Sequence, residues 1–506
     1  MKMKHTRHPA MRIVAPTLLT IGLAACGGGE TSAAPNTNPC TSLAGQTIAG
    51  ATIQRATTVA ASGGIGEYCR VEGSVRPGFN FEVHLPTQWN NKLVQNGGGG
   101  WDGVLQLVPQ PSISSYVRVA SNGGHVGDPL DASWALNNTQ AKNDFGYLSA
   151  HTTLGVAKEL VRRRYGRDAQ RHYFQGCSNG GREALIAASR YPGDYDGILA
   201  IMPAVSFTEL FQAFIRNAQA YSAPGAAINA AKARTIANAV VARCDANDGL
   251  QDGIVGQPWA CNFDPGSLQC TGADNDSCLT APQVATARTI YSEYRSPGGT
   301  LIYPGWSPGG EDIGWPTWIG NPPTRPLGDQ FTFADGLVRY WLTSNPGYNT
   351  LANFSPANFQ PQIAAAAATL DASPNLTTFF AQGRKLVLAH GTHDWAISYK
   401  SSVKYFVEAG VMSGGDAVRD ANMELFLLPG VQHCGGGVGA FYLDYFDATV
   451  QWVETGARPS SRNLSVFALN TSGQISMTRP LCRFPTFARY IGGNPLVASS
   501  FVCSPT

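Results

Sequence analysis

The chain carries almost no net charge. Its 36 Lys and Arg face 34 Asp and Glu, a formal charge of +2 at pH 7. Four of the basic residues, Lys2, Lys4, Arg7 and Arg12, fall in the first 25 positions with no acid among them, and without that stretch 32 basic residues face 34 acidic ones, a formal −2. Nothing in this balance favours nucleic acid, which is met by a clustered basic surface. No Cys-x-x-Cys pair occurs among the eleven cysteines, which argues against a zinc site. The glycine run Gly97–Gly100 is not followed by the Lys-Ser/Thr of a phosphate loop, so a nucleotide cradle is excluded too. The apolar run Ile13 to Ala25 is thirteen residues long, short of the roughly 20 that a spanning helix needs.

That short run has a different meaning. Basic residues precede it and Leu23-Ala24-Ala25-Cys26 closes it, the pattern of a bacterial secretion leader with a lipobox. Residues 1–25 are expected to be a signal peptide, Cys26 a lipidated N-terminus, and 26–39 a tether rich in Gly, Ser, Ala and Pro. Membrane attachment would then be through the anchor alone, and Gly27 after Cys26 fits sorting to the outer membrane, facing periplasm or cell surface. Ordinary secretion is the other reading. An exported chain meets an oxidising compartment, and ten cysteines, an even number, remain once Cys26 is set aside.

The chemistry centres on Gly176-Cys177-Ser178-Asn179-Gly180-Gly181-Arg182. Tyr173 and Phe174 read as a strand before it, and Arg182 to Arg190 as a helix that stops before Pro192. A Gly-x-Ser-x-Gly string at a strand-turn-helix corner is the nucleophile elbow of α/β-hydrolases, in which the acid and then the histidine follow the serine along the chain. Both follow here. The strand Lys385 to Ala389 ends in His390-Gly391-Thr392-His393-Asp394, and the strand Glu424 to Leu428 leads to His433-Cys434. Ser178 is therefore expected as nucleophile, His433 as general base and acid, and Asp394 as the carboxylate that orients the imidazole. His390, His393 and His125 are read as structural. Gly98 or Gly99, with the amide of Asn179, are expected to donate to the oxyanion. Cys177 and Cys434 flank the serine and the histidine, so a disulfide between them would tie the two catalytic loops together.

This constellation closely resembles the tannase and feruloyl esterase family, which also contains the hydrolase of mono(hydroxyethyl) terephthalate. Cys177-Ser178, Asp394 and His433-Cys434 match its Cys-Ser, Asp and His-Cys marks, and the likeness runs from about Cys40 to Cys503. Local spacing and the resemblance together suggest pairing Cys40 with Cys69, Cys244 with Cys261, Cys270 with Cys278 and Cys482 with Cys503. The Cys177 to Cys434 bridge closes the longest loop and constrains the unfolded chain by about 5 kcal/mol in the loop-entropy model.

More chain separates the strand Gly197 to Ile201 from Asp394 than one strand and helix need. The expected architecture is α/β: a hydrolase core formed by 40–204 and 381–506, with a large inserted lid over 205–380. The lid opens with a helical stretch, Phe207 to Cys244, and holds Trp259, Trp306, Trp315, Trp318 and Trp341, half of the ten tryptophans. Some must be lid core; others facing the cleft would suit an aromatic acyl group, as the resemblance implies. Asp245-Ala246-Asn247-Asp248-Gly249-Leu250-Gln251-Asp252-Gly253-Ile254 is not an EF-hand, because Gly256 stands where the closing Glu would be. By itself the run reads equally as a solvated acidic turn. The resemblance implies a structural calcium held by the Asp245, Asp248 and Asp252 side chains and the Leu250 and Ile254 carbonyls. It also implies an esterase for small aromatic esters, feruloyl first and galloyl next, with a terephthalate monoester as a further option. Arg339 could pair with a substrate carboxylate, or more simply serve a lid salt bridge. A lipid-anchored binding protein on a degenerate hydrolase scaffold is the non-enzyme alternative.

Overall fold

The computed structural model describes residues 38–107 and 110–505. The expected leader over 1–25, Cys26 and all but the last two residues of the tether lie outside the described residues. Ten strands make one sheet: β1 (Thr47–Ile48), β2 (Ala51–Val59), β3 (Tyr68–Arg76), β4 (Phe79–Pro86), β5 (Lys92–Asn96), β6 (Val117–Ser121), β7 (Arg171–Cys177), β8 (Gly197–Ile201), β9 (Lys385–Gly391) and β10 (Met423–Leu428). Their order is β1-β2-β3-β4-β6-β5-β7-β8-β9-β10. Neighbours are antiparallel from β1 to the β4–β6 pair and parallel from β6 onward. The parallel strands carry nearly continuous apolar runs, Gly197-Ile198-Leu199-Ala200-Ile201 for example, because helices cover both faces.

Helices Ser149–Tyr165, Asn179–Arg190 and Tyr399–Met412 close one face over Leu93, Val117, Ile198 and Leu386. Helix Tyr445–Thr455 closes the other over Val94, Tyr173, Val387 and Phe426. Each fully buried Leu or Phe contributes about 1.5–3 kcal/mol, so the sheet is fixed before any functional side chain is placed.

The long connection leaves the sheet after β8 and returns at β9, which pairs with β8 in register from Lys385 opposite Gly197. It contains helices Phe207–Tyr221, Ala230–Cys244, Ala281–Tyr291, Glu311–Trp318, Asp329–Gly336 and Gln360–Leu370. Their starts are capped from the sequence: Ser206, Asn229 and Thr280 side chains each accept a backbone N–H three residues on, and Thr280 forms a capping box with Gln283. Trp306, Trp315, Phe214 and Ile290 are buried in a second core that the insertion shares with Trp101, Phe145 and Trp395 from the segments on either side. The expected single stretch Phe207 to Cys244 is two helices, parted where Pro224 precedes Gly225 at φ 71°. Helix Ser149–Tyr165 follows a wider turn over Asp144–Leu148. In that turn the Phe145 and Gly146 carbonyls accept from Arg182.

Strands β1 to β3 and two C-terminal hairpins, Ser465–Leu469 with Ile475–Pro480 and Thr486–Tyr490 with Phe501–Pro505, are not among the elements expected from the sequence. In β2 the alternation of buried and exposed residues is broken by an irregularity between Ile53 and Arg55, which blurs the period-two pattern. All five expected cysteine pairs are bonded: 40–69, 177–434, 244–261, 270–278 and 482–503.

Candidate active site

Ser178 stands alone between β7, which ends at Cys177, and the helix that begins at Asn179. Its backbone is at φ 62°, ψ −123°, a region that costs a non-glycine residue about 1–3 kcal/mol. The surroundings hold it there: its N–H donates to Ile201 O at 3.0 Å, and its carbonyl accepts from Arg182 N at 3.1 Å. Glycine is required at Gly176 and Gly180, because a Cβ at the first would meet the backbone of the second, and one at Gly180 would lie 2.7 Å from Gly98 O. The strained corner lifts Oγ off the sheet.

His433 and Asp394 come from the loops after β10 and β9 and reach that oxygen in sequence. His433 Nε2 lies 2.9 Å from Ser178 Oγ, and Nδ1 lies 2.8 Å from Asp394 Oδ2. The other Asp394 oxygen accepts from the Ala396 and Ile397 amides at 2.9 and 2.8 Å. Burial opposes the Asp394 charge, but the His433 charge and the hydrogen bonds from His390 and His433 outweigh it and hold the carboxyl at about 2. A permanently charged carboxylate behind Nδ1 fixes the tautomer whose Nε2 can accept the serine proton. The Cys177–Cys434 bridge joins the residues next to Ser178 and His433, with Cα atoms 6.0 Å apart.

The other histidines do not reach Ser178. His390 Nε2 lies 3.0 Å from the Ile397 carbonyl and 3.4 Å from Asp394 Oδ2, and its Nδ1 lies 2.8 Å from Ser402 Oγ. His393 is buried against Gly309 and Gly310, and burial brings it down to about 4. His125 stacks on Trp134 with ring centres 3.7 Å apart and is also lowered to about 4 by burial.

The two expected oxyanion glycines are not equivalent. The Gly98 amide donates to Glu183 Oε2 at 3.0 Å, and its carbonyl accepts from Gly180 at 3.0 Å, so that amide is already engaged. Gly99 and Asn179 line the cleft with Ser178. Asn179 opens a helix, where an N–H has no partner in the preceding turn.

The cleft beside Ser178 measures about 300 Å³. Phe207, Leu210, Phe211, Phe214, Trp318 and Phe333 form its apolar walls, Gln106 and Asn179 add polar side chains beside Ser178, and among the described residues His433 is the one titratable group lining it. Trp318 stands edge-on to the His433 ring at 5.3 Å. Of the five tryptophans singled out in the insertion, Trp318 alone lines the cleft. Phe207, Leu210, Phe211 and Phe214 repeat at helical spacing; that stripe was legible, but lid core was its simpler meaning. Asp102, which accepts from the Asn179 side chain, and Glu183, which accepts from the Gly98 amide, carried no motif. Arg339 faces away from this chemistry, donating to Asp335 Oδ2 at 3.1 Å and to Pro346 O at 2.6 Å.

In the acidic loop, Asp245 accepts from the Asp252 and Gly253 amides, Asp248 from Leu250, and Asp252 from Ile254 and Arg479. Burial raises Asp248 to about 6; its own backbone hydrogen bond opposes this, and the Asp252 and Asp245 charges add to it. Arg479 neutralises Asp252, which leaves Asp245 and Asp248 as the negative charge that a cation could meet. Among the described residues the one close group of ligand-type atoms is Cys270, Asp274 and Cys278, but the two sulfurs are bonded to each other and hold no thiolate for a metal.

The family model described as tannase and feruloyl esterase matches residues 62–504. The chain belongs to the tannase and feruloyl esterase family. An uncharacterized esterase of Agrobacterium fabrum is 31% identical, with 90% of this chain and 89% of that one aligned. The mono(2-hydroxyethyl) terephthalate hydrolase of Piscinibacter sakaiensis is 28% identical over 89% of this chain and 87% of its own. The crystal structure of feruloyl esterase B from Aspergillus oryzae superposes with a TM-score of 0.82 at 25% identity, covering 92% of this chain and 99% of that one. The fold is that of the family's α/β-hydrolases, and the chain is a carboxylic ester hydrolase.

Proposed function

We propose that the chain hydrolyses neutral aromatic carboxylic esters, feruloyl-type esters first, through an acyl-enzyme on Ser178. The observation that carries this reading is a Ser178–His433–Asp394 hydrogen-bonded line opening on an aromatic cleft without a charged wall. Ser178 Oγ attacks the ester carbonyl as His433 Nε2 takes its proton, the Gly99 and Asn179 amides receive the oxyanion, and His433 returns the proton to the departing alcohol. Water then repeats the cycle on the acyl-enzyme. A hydroxycinnamoyl ring is flat and apolar with one or two polar substituents, which Gln106 suits. Galloyl esters present three hydroxyls to largely apolar walls, and terephthalate monoesters bring a carboxylate that no cation among the described lining residues meets.

In this reading 205–380 acts as the lid, and the acidic loop holds a structural calcium through Asp245, Asp248 and Asp252 and the Leu250 and Ile254 carbonyls. The ion would supply only charge neutralisation there. Export through the leader, with Cys26 as anchor, accords with five disulfides in the described residues. The test is turnover of methyl ferulate, methyl gallate, mono(2-hydroxyethyl) terephthalate and p-nitrophenyl butyrate by protein lacking residues 1–26, each beside Ser178→Ala. The reading requires ferulate to lead in kcat/KM and the variant to be inert. Preference for the terephthalate ester would reject the neutral-substrate assignment, and a folded protein without any turnover would favour a binding role.

A further inference from the structure

The oxyanion side of the cleft rests on a buried polar cluster that the triad does not use. Asp102 and Asn179 are 1% exposed and Arg182 is fully buried. Asn179 is held at both ends: its Oδ1 accepts from Arg182 Nε at 2.7 Å, and its Nδ2 donates to Asp102 Oδ1 at 2.8 Å. Glu183 holds the glycine loop by accepting from the Gly98 amide at 3.0 Å. The Asp102 carboxyl is wedged under that loop, where a Cβ on Gly98 would come 2.7 Å from its Cγ and one on Gly123 would strike it as well. The same two acids therefore grip both strands of the oxyanion hole.

Their charge does not balance unless a proton is added. Arg182 spends its remaining donors on the Phe145, Gly146 and Leu370 carbonyls and lies between the Phe145 and Phe207 rings, 4.7 Å from each centre. It pairs directly with neither acid. Asp102 Oδ2 has no donor, and both carboxyls close on Gly98: Glu183 Oε2 accepts its amide at 3.0 Å, and a Cβ there would strike Asp102 Oδ1. The other charges that act on the cluster are Asp371 and Arg190, both through Arg182. Two neighbouring buried carboxylates do not both ionise beside one guanidinium. A single proton between them gives Oδ2 its partner and leaves one negative charge opposite Arg182. Burial first, then the Glu183 charge, push Asp102 well above the usual carboxylate range, and burial raises Glu183 as well.

We infer that Asp102 and Glu183 share one proton and are positioning residues, holding the Asn179 and Gly99 amides on the developing oxyanion through the Asn179 side chain and the Gly98 amide. This rests on the reading of Ser178 as nucleophile. Neither acid touches substrate, so their effect should fall on kcat rather than KM.

The experiment compares Asp102→Leu, Asp102→Asn and the double variant Asp102→Asn with Glu183→Gln, with Ser178→Ala as control. Asp102→Leu should lower kcat about 100-fold with KM within about threefold, the scale of a misplaced oxyanion donor. Asp102→Asn keeps the acceptor for Asn179 and brings its own N–H toward Glu183, so it should recover at least about tenfold of that loss. Adding Glu183→Gln should remove the recovery, because two amides put surplus hydrogens where one proton fits. An Asn variant no better than Leu, or a double variant as active as Asp102→Asn, overturns the proposal. Should the Leu or double variant not fold, the infrared difference between wild type and Asp102→Asn decides: loss of a protonated-carboxyl band supports the shared proton, and no such band contradicts it. Turnover surviving in Ser178→Ala would instead overthrow the nucleophile reading.

Discussion

The floor and the roof of the cleft are built by different physics. The floor, from β7, β8, β9, β10 and their loops, places Ser178, Asp394 and His433 by backbone constraint: a strained residue at φ 62°, glycines with no space for a Cβ, and a covalent bridge beside the reacting pair. The roof, from the insertion, places Phe207, Phe211, Trp318 and Phe333 by side-chain packing alone. Chemistry tolerates little movement and is written into turns; substrate choice tolerates more and is written into apolar surface.

That contrast predicts which constant each change moves. Ser178→Ala should lower kcat by about 10⁴-fold or more with the melting temperature little changed, and Asp394→Asn should approach the same loss, since it stabilises the wrong imidazole tautomer. Reduction of Cys177–Cys434 comes next: activity should fall by at least about tenfold in protein that keeps its far-ultraviolet spectrum, because the bridge sets the serine to histidine approach. Full activity with that bridge shown to be reduced would erase the floor's covalent part. In the roof, Trp318→Ala should raise KM for an aromatic ester about tenfold while kcat changes less, by loss of apolar contact. A kcat effect of the same size would merge the two regions.

The turns were readable and the surfaces were not. Gly176, Ser178 and Gly180 announce a corner once the strand before them and the helix after them are read, and the strand ends before Asp394 and His433 are short apolar runs that stop at Gly or Pro. The phenylalanines at 207, 211 and 214 have the same helical spacing whether they face a core or a cleft, so tertiary contact alone tells the two apart. Gly98 and Gly99 were indistinguishable in a run of four glycines; Glu183, distant in sequence, separates them by taking one amide. β2 was lost to an irregularity that breaks its alternation. The five cysteine pairs were legible through spacing and resemblance together.

Smaller effects concern stability. Chelation should lower the melting temperature by about 2–5 °C, with added calcium restoring it, if the acidic loop carries the ion. Unchanged melting in chelator would remove calcium from the account. His125 and His393 are both lowered to about 4 by burial, below the unfolded value near 6.5. The unfolded chain then binds the extra protons first, so stability should be full above about pH 6.5 and fall as pH drops toward 4, by about 3 kcal/mol for His393. Asp394, held at about 2, adds a further loss as pH falls from about 4 to 2. A melting temperature flat from pH 7 to 4 would contradict the neutral buried histidines.

The central claim is that Ser178 carries the acyl group. The direct measurement is mass spectrometry of protein acid-quenched during the first turnovers of p-nitrophenyl ferulate. One feruloyl adduct on the peptide containing Ser178, formed with a burst of about one equivalent of nitrophenol and absent in Ser178→Ala, is the expected result. Steady turnover with no adduct on that peptide and an active Ser178→Ala variant would contradict it.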